Sequence, residues 1–425
     1  MKKKFVATMY LYQNKAVKGI NDTTVLSDDP VLYARTFFDN NLDEILIYDM
    51  STTDAEHDEA ISMIKKICQS CEMPVIGSGH VHRMEDIKKL LYAGCARAVL
   101  DFENEENIGI AEEVGKKFGK DKLLAAVSDV STYKANQTAI QAYTNEVIYQ
   151  NDDMKDIMSV INMPIMYHIP AMSLEKMLEY LSQDMISGVT GDYINEIAGE
   201  ITSIKSLCFE KGIPVYTFEG SMPFSEYKLN SDGMIPVVVQ DYKTNQVLQV
   251  AYMNEESYNK TLKTGKMTYW SRSRNELWTK GETSGHFQYV KELIADCDKD
   301  TLVAKVSQVG AACHTGSYSC FFQQVAKKEY ANTNPLQVFE DVFAVIMDRK
   351  VNPKEGSYTN YLFDKGVDKI LKKLGEEATE IVIAAKNPNP DEIKYEISDF
   401  LYHMMVLMAE KNVTWEEITQ ELARR

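Results

Sequence analysis

At 425 residues the chain is too long for one ordinary domain and fits two or three. It carries 63 acidic against 46 basic residues, a net charge of −17 with no basic block, which argues against nucleic acid as a partner but leaves small phosphorylated substrates open. No apolar run reaches the roughly 18 residues needed to span a bilayer, and seven cysteines, an odd number, point to reduced thiols or metal ligands rather than a disulfide framework. The start, Met1-Lys2-Lys3-Lys4-Phe5-Val6-Ala7, has the basic flank of a signal peptide, but its apolar stretch ends at Gln13-Asn14-Lys15. It reads as the first strand of a cytoplasmic protein.

Residues 1 to about 220 alternate short apolar runs with helix-length segments. Candidate strands are 5–11, 44–48, 75–77, 98–100, 123–127, 146–149, 165–167 and 185–189. This pattern predicts an N-terminal (β/α)₈ barrel or, failing that, an open parallel sheet. The stretch between the fifth and sixth strands reads as short for a full unit. Cys68 and Cys71 close an amphipathic segment with no second pair at zinc-site spacing, which suits packing thiols. Residues 219–233, rich in Gly, Ser, Pro and Asn, read as a linker. Strand-like runs at 235–239, 247–252, 267–270 and 302–306 then predict a central β-rich α+β domain. A junction near 330–335 precedes a stretch that is helical from Leu336 onward, an all-α bundle. The turn Asn387-Pro388-Asn389-Pro390 breaks it, with Asn389 as N-cap and Pro390 at the first helical position. These boundaries give domains 1–222, 228–328 and 334–425.

The central domain holds Asp296-Cys297-Asp298-Lys299-Asp300, then Cys313-His314-Thr315-Gly316 and Ser319-Cys320. Thiolate suits Zn²⁺ and carboxylate suits Mg²⁺. On a strand, Asp296, Asp298 and Asp300 would share one face and Cys297 the other. Three thiolates leave a tetrahedral position open, as in a catalytic rather than a structural zinc site. Upstream, Ser271-Arg272-Ser273-Arg274 and Lys280-Gly281-Glu282-Thr283-Ser284-Gly285-His286 suit anion binding, with Arg272 and Arg274 offering paired donors to phosphate. An exposed hairpin would look the same on these residues alone. The combination, over roughly 228 to 325, resembles phosphoribosyl-AMP cyclohydrolase of histidine biosynthesis. The resemblance implies a zinc enzyme that hydrolyses the N1–C6 bond of an N1-ribosylated adenine ring. It implies Cys297, Cys313 and Cys320 as zinc ligands, one ion per site, and Asp296, Asp298 and Asp300 as Mg²⁺ ligands. It further implies substrate contacts from Arg272, Ser273, Arg274, Lys280, Thr283 and Ser284, proton transfer by His314 or His286, and a homodimer whose metal site lies between subunits. The competing reading is a structural zinc knuckle.

In the C-terminal stretch, Glu376-Glu377-Ala378-Thr379-Glu380 and Glu396-Ile397-Ser398-Asp399 lie on successive helices. Their i, i+3 spacing puts Glu377 with Glu380, and Glu396 with Asp399, on one face each. Paired helices would gather four carboxylates, which a divalent cation would relieve; a solvated acidic face is the competing reading. The apolar neighbours of Glu396 and Asp399 suggest a buried stripe, where acids need partners. Together with Ser357-Tyr358-Thr359, Lys365-Gly366, Lys372-Lys373-Leu374-Gly375 and Asp399-Phe400-Leu401-Tyr402-His403, the region resembles phosphoribosyl-ATP pyrophosphatase, an all-α hydrolase. The resemblance implies Mg²⁺ on Glu376, Glu377, Glu380, Glu396 and Asp399, with Glu377 and Lys373 catalytic and Lys365 and Lys372 on phosphate. His403 reads as a packed helical histidine. The two activities are consecutive, one making the other's substrate; a general nucleotide pyrophosphatase with a structural zinc domain is the alternative.

Val17-Lys18-Gly19, Asp29-Pro30, Glu44-Ile45-Leu46-Ile47-Tyr48-Asp49, Gly77-Ser78-Gly79 and Leu91-Tyr92-Ala93-Gly94 resemble the cyclase subunit of imidazole-glycerol-phosphate synthase, a (β/α)₈ barrel. The departures fall at the ends of strands, where such barrels keep their active sites. Tyr10 and Ser128 stand at the family's catalytic aspartates, and Tyr167-His168-Ile169-Pro170-Ala171 lacks the glycines of its phosphate loop. A barrel without cyclase activity is expected.

Overall fold

The computed structural model describes residues 1–105, 107–151, 154–169, 172–218, 220–326, 328, 337–387 and 390–423. The expected N-cap Asn389, the linker residue Glu219, the loop residues Pro170 and Ala171 and the junction 330–335 lie outside them. Two compact units form, Met1–Gln323 and Gln324–Arg425.

The first unit opens with a closed parallel barrel. Strand β1 (Lys4–Tyr12) turns through Gln13 and Asn14 into β2 (Lys15–Gly19) and β3 (Asp22–Ser27). The positive φ of both turn residues, 47° and 59°, is what a tight two-residue hairpin requires. Helix–strand units follow: α1 (Pro30–Asp39) to β4 (Glu44–Asp49), α2 (Asp54–Ser70) to β5 (Val75–Ser78), α3 (Met84–Ala93) to β6 (Arg97–Asp101) and α4 (Asn107–Phe118) to β7 (Leu123–Val127). Then come α5 (Val130–Tyr143) to β8 (Glu146–Tyr149), α6 (Met154–Val160) to β9 (Ile165–His168) and α7 (Leu174–Leu181) to β10 (Ile186–Thr190), with α8 (Asp192–Glu196) and α9 (Ile201–Glu210) last. Closure works because β1 is long. Its start pairs with β10, its middle with β4, and its end with β2. The stretch that reads as short between the fifth and sixth strands holds the 14-residue α5, capped by Asp129, so the unit is complete.

The strands read as continuously apolar because both faces are buried. Phe5, Ala7 and Met9 meet the helices, while Val6, Leu46, Ile76, Val99, Leu124, Ile148 and Met166 fill the barrel interior. Cys68 and Cys71 are buried in the outer layer, as packing thiols would be.

The same unit continues with β11 (Ile235–Asp241), β12 (Val247–Met253), α10 (Glu255–Thr264), β13 (Thr268–Ser271), β14 (Glu276–Thr279), β15 (Gln288–Ala295) and β16 (Leu302–Gln308). The sheet order is β12-β11-β16-β15, with β13–β14 a separate hairpin. Strands β14 and β15 and the hairpin β2–β3 are absent from the sequence reading. β15 is a charged edge strand whose register shifts between Val290 and Glu292, so its alternation is broken.

The second unit is helical: α11 (Val338–Val351), α12 (Tyr358–Lys365), α13 (Val367–Ala384), α14 (Pro390–Lys411) and α15 (Trp415–Ala423), around Ile346, Leu362, Ile370, Met405 and Val406. Only the second half of α14 is buried. Tyr395 and Ile397 are exposed at 73 % and 40 %, so the buried stripe expected around Glu396 and Asp399 is not formed within the unit. Among the described residues no helix is long and apolar enough to cross a membrane.

Candidate functional site

Two chemical clusters stand out, one in each unit. In the central sheet, residues 296–301 form the turn between β15 and β16, not a strand. Asp296 Oδ1 closes it by accepting from the amides of Asp300 at 3.0 Å and Thr301 at 3.2 Å, and Lys299 sits at a φ of 64°. Asp296, Asp298 and Asp300 nonetheless converge, with one oxygen from each mutually within 4.8 Å. Strand alternation is therefore the wrong reason for the right grouping. Cys297 lies exposed on this turn.

The loop after β16 carries the other two cysteines. Its backbone closes on itself, Cys313 N donating to Ser317 O at 3.0 Å, and Cys320 N ties it to β12 through Leu248 O at 2.7 Å. Tyr318 donates to Asp241 Oδ2 at 2.8 Å and Ser319 to Val247 O at 2.8 Å, fixing the loop further. The Thr315 hydroxyl donates to Cys313 Sγ at 3.1 Å, and this bond above all holds the Cys313 thiol below its ordinary pKa. Cys320, a hydrogen-bond neighbour of Cys313, is pushed up, first by burial and then by that contact. Cys297 does not join them in a three-ligand group. One chain thus gathers two thiols, half of a tetrahedral set.

Lys280 is buried beside this pair; burial lowers its pKa and the two cysteines act in the opposite sense. Its Nζ reaches Ala311 O at 3.5 Å. Next door, a Cβ on Gly310 would come within 2.6 Å of His286 Cδ2, so only glycine lets the His286 ring lie against this backbone. His314 is exposed, its Nδ1 3.9 Å from Cys313 Sγ. Arg272 and Arg274 occupy the turn of the β13–β14 hairpin. Arg272 lies over the Tyr252 ring at 3.9 Å, and Arg274 pairs with Glu276 at 3.3 Å. Ser273, Thr283 and Ser284 are exposed. Thr315 and Tyr252 were not singled out from sequence; Thr315 was discoverable from its place between Cys313 and Gly316.

In the second unit Glu377 and Glu380 of α13 meet Glu396 of α14, with oxygens within 4.8 Å. Glu377 is only 4 % exposed. Partial loss of solvent, then the carboxylates of Glu396 and Glu377, push the Glu380 carboxyl above its ordinary pKa. Such a hard-oxygen set, with Lys373 as a cation beside it, fits Mg²⁺. Lys373 bridges Glu376 at 3.0 Å and Glu377 at 3.3 Å, and Lys372 lies 3.5 Å from Glu376. Glu376 is thus turned to the lysines, and Asp399 is exposed outside the three-carboxylate group. Lys365 ends α12, 5.9 Å from the Tyr361 ring. His403 is buried, with Nδ1 donating to Asp399 O at 2.8 Å and Nε2 accepting from the Tyr358 hydroxyl at 3.1 Å. Both nitrogens are engaged, as in a packed histidine.

At the barrel mouth Tyr10 is 6 % exposed and stacks on Tyr48 at 5.3 Å; burial pushes its hydroxyl up to about 12. Ser128 donates to Glu103, and Asp129 is engaged by the Thr132 amide at 2.8 Å.

Comparison with known proteins agrees with this division. Family models for phosphoribosyl-AMP cyclohydrolase, phosphoribosyl-ATP pyrophosphohydrolase and a histidine biosynthesis protein match residues 249–322, 339–425 and 6–160. The histidine biosynthesis bifunctional protein HisIE of Thermoanaerobacter pseudethanolicus is 52 % identical over 209 residues, 46 % of this chain and 97 % of the relative. Its counterpart in Caldanaerobacter subterraneus subsp. tengcongensis is 53 % identical over 200 residues, 47 % of this chain and 96 % of that protein. The Bacillus subtilis protein of the same name is 48 % identical over 200 residues, covering 47 % and 95 %. The chain therefore belongs to the bifunctional HisIE family of histidine-biosynthesis hydrolases, with cyclohydrolase and pyrophosphohydrolase domains joined to a histidine-biosynthesis barrel.

Proposed function

We propose that the helical unit cleaves phosphoribosyl-ATP to phosphoribosyl-AMP and pyrophosphate at a Mg²⁺ site, and that the central sheet then opens the product's adenine ring at N1–C6 at a zinc site. The observation that carries this reading is the meeting of Glu377, Glu380 and Glu396. Two such charges at 4 Å repel by about 4 kcal/mol at an effective dielectric of 20, a cost a divalent cation removes. When bound, Mg²⁺ would neutralise phosphate charge and zinc would make water nucleophilic near neutral pH. By the resemblance Glu376 and Asp399 would join this cation set, although Glu376 faces Lys372 and Lys373 and Asp399 stands outside the three-carboxylate group. Lys373, already oriented by Glu376 and Glu377, takes phosphate oxygens together with Lys365 and Lys372.

In the central sheet Cys313 and Cys320 supply two thiolates, and a second copy supplies Cys297. This makes the enzyme a homodimer and explains why one chain gathers only half a site. Asp296, Asp298 and Asp300 would hold Mg²⁺, which would supply charge to neutralise the substrate phosphate, and Arg272, Ser273, Arg274, Lys280, Thr283 and Ser284 would contact the substrate. His286, fixed against Gly310, or His314 gives the departing ring nitrogen its proton. A cytoplasmic setting goes with the reduced thiols.

The barrel acts as a brace without cyclase activity. Its mouth is filled by Tyr10 and Tyr48, and Ser128 and Asp129 are committed to Glu103 and α5. Its helices grip the central domain: Lys291 of β15 lies 3.8 Å from the Phe38 ring, and Ser203 donates to Lys263 O at 3.3 Å.

The test is to supply phosphoribosyl-ATP, Mg²⁺ and trace Zn²⁺ and follow pyrophosphate and ring-opened product together. Pyrophosphate without ring opening would refute the zinc half, and neither product would refute both. Imidazole-glycerol phosphate made from the cyclase substrate and ammonia would refute the inactive barrel.

A further inference from the structure

We propose that the cleft at the start of α12 is the base pocket of the pyrophosphohydrolase site, with the purine ring of the nucleotide lying on Tyr361 and Tyr358. The proposal rests on the reading of this unit as the pyrophosphate-releasing one. The cleft, about 570 Å³, is lined by Lys354, Gly356, Ser357, Tyr358, Tyr361 and Asp364. Tyr358 and Tyr361 are 45 % and 43 % exposed, large for aromatic rings on so short a helix. Their rings lie 6.1 Å apart and within 22° of parallel, and Tyr402 extends the series from Tyr358 at 6.4 Å and the same angle. Two exposed rings one helical turn apart, held to a common plane direction, make a platform for a flat ligand.

The platform is braced. Ser357 caps α12, and Asn360 accepts from Lys354 N at 2.9 Å while donating to Arg349 O at 2.6 Å, so the cleft wall is fixed on both sides. The Tyr358 hydroxyl is held by His403 at 3.1 Å, and that histidine lies 3.7 Å from Glu377. One imidazole therefore separates the cleft from the carboxylate cluster. Lys365 and Lys369 lie 5.9 and 6.0 Å from the Tyr361 ring centre. Lysines thus flank the platform at Tyr361, and the carboxylates lie one imidazole beyond Tyr358, so groups suited to the base, phosphates and cation of a nucleoside triphosphate border the same cleft. An N1-substituted adenine is electron-poor, which suits the electron-rich face of tyrosine.

Tyr361→Leu and Tyr361→Phe, compared in the full-length enzyme, test this. Expected for Tyr361→Leu is a KM for phosphoribosyl-ATP raised about tenfold, the scale of one lost base–aromatic stack, with kcat little changed. Tyr361→Phe should retain the original KM. Inhibition by ATP should weaken in parallel in Tyr361→Leu, while inhibition by inorganic tripolyphosphate, which has no base, stays the same. A helical circular-dichroism signal and a thermal midpoint matching the parent report that the variant's helical unit is folded. An unchanged KM, or equal weakening toward ATP and tripolyphosphate, would overturn the pocket. If the unaltered enzyme releases no pyrophosphate, the underlying reading fails separately. Calorimetric titration of ATP against both proteins then still decides the pocket, a matched affinity counting against it.

Discussion

Lys291, on the edge strand of the central sheet, lies 3.4 Å from Asp39, the last residue of the barrel's first helix, with side chains 16 % and 4 % exposed. This pair fastens the barrel to the strand that leads directly into the Asp296–Asp300 turn. Removing Asp39 alone leaves an ammonium with little water and only the weaker pull of Glu72, so Asp39→Ala should cost about 2 kcal/mol. Adding Lys291→Met should recover part of that loss. Denaturation midpoints of the three variants measure it, and a neutral Asp39→Ala would refute the brace.

The same pair predicts a pH dependence. Burial lowers the Lys291 pKa below 10.5, and Asp39 opposes the shift. A lysine lowered in the folded state binds fewer protons there than in the unfolded chain, so stability rises with pH between the folded pKa and 10.5. In Asp39→Ala that rise should begin at lower pH than in the parent. Midpoints collected from neutral to alkaline pH would show it.

Cys297 and the Cys313–Cys320 pair do not meet within a chain. Cys297→Ser and Cys313→Ser should each abolish ring opening. Mixed after dissociation and reassociation, the two should recover up to roughly a quarter of the parent rate, because half the dimers are mixed and each has one intact site. No recovery despite demonstrated subunit exchange would place the zinc site within one chain.

Glu377→Gln keeps the shape of the most buried carboxylate but removes its charge. Pyrophosphate release should fall by about 100-fold or more, as expected when a metal site and the orientation of Lys373 fail together. Hydrolysis of supplied phosphoribosyl-AMP should persist. Loss of both would mean that the two activities are not independent.

Ser128→Asp would put an aspartate where the cyclase resemblance expects one. The Ser128 hydroxyl is the largest of the influences that depress the Glu103 pKa, so the variant replaces a donor with a like charge. Glu103 is exposed, so the loss at neutral pH should be on the order of 1 kcal/mol. It should fade as pH falls through the carboxylate range. A variant as stable as the parent would show that Glu103 turns away freely.

The barrel and the bundle were legible in sequence because most of their strands and helices carry clear apolar patterns, as in 123–127 and 146–149, where the read and observed strands coincide, whereas the broken alternation of β15 hid one strand of the central sheet. Some local grouping was legible too: Asp296, Asp298 and Asp300, and Glu377 with Glu380, converge as their spacing suggests. Tertiary structure decided what those residues touch. It set the Asp296 segment as a turn, because backbone amides of Asp300 and Thr301 claim the Asp296 carboxylate. It separated Cys297 from Cys313 and Cys320, turned Glu376 toward two lysines, and left the first half of α14 exposed. Such outcomes depend on which distant segments pack together, and one-dimensional spacing records only neighbours along the chain. For the same reason the ion pair of Lys291 with Asp39, 252 positions apart, has no trace in the sequence.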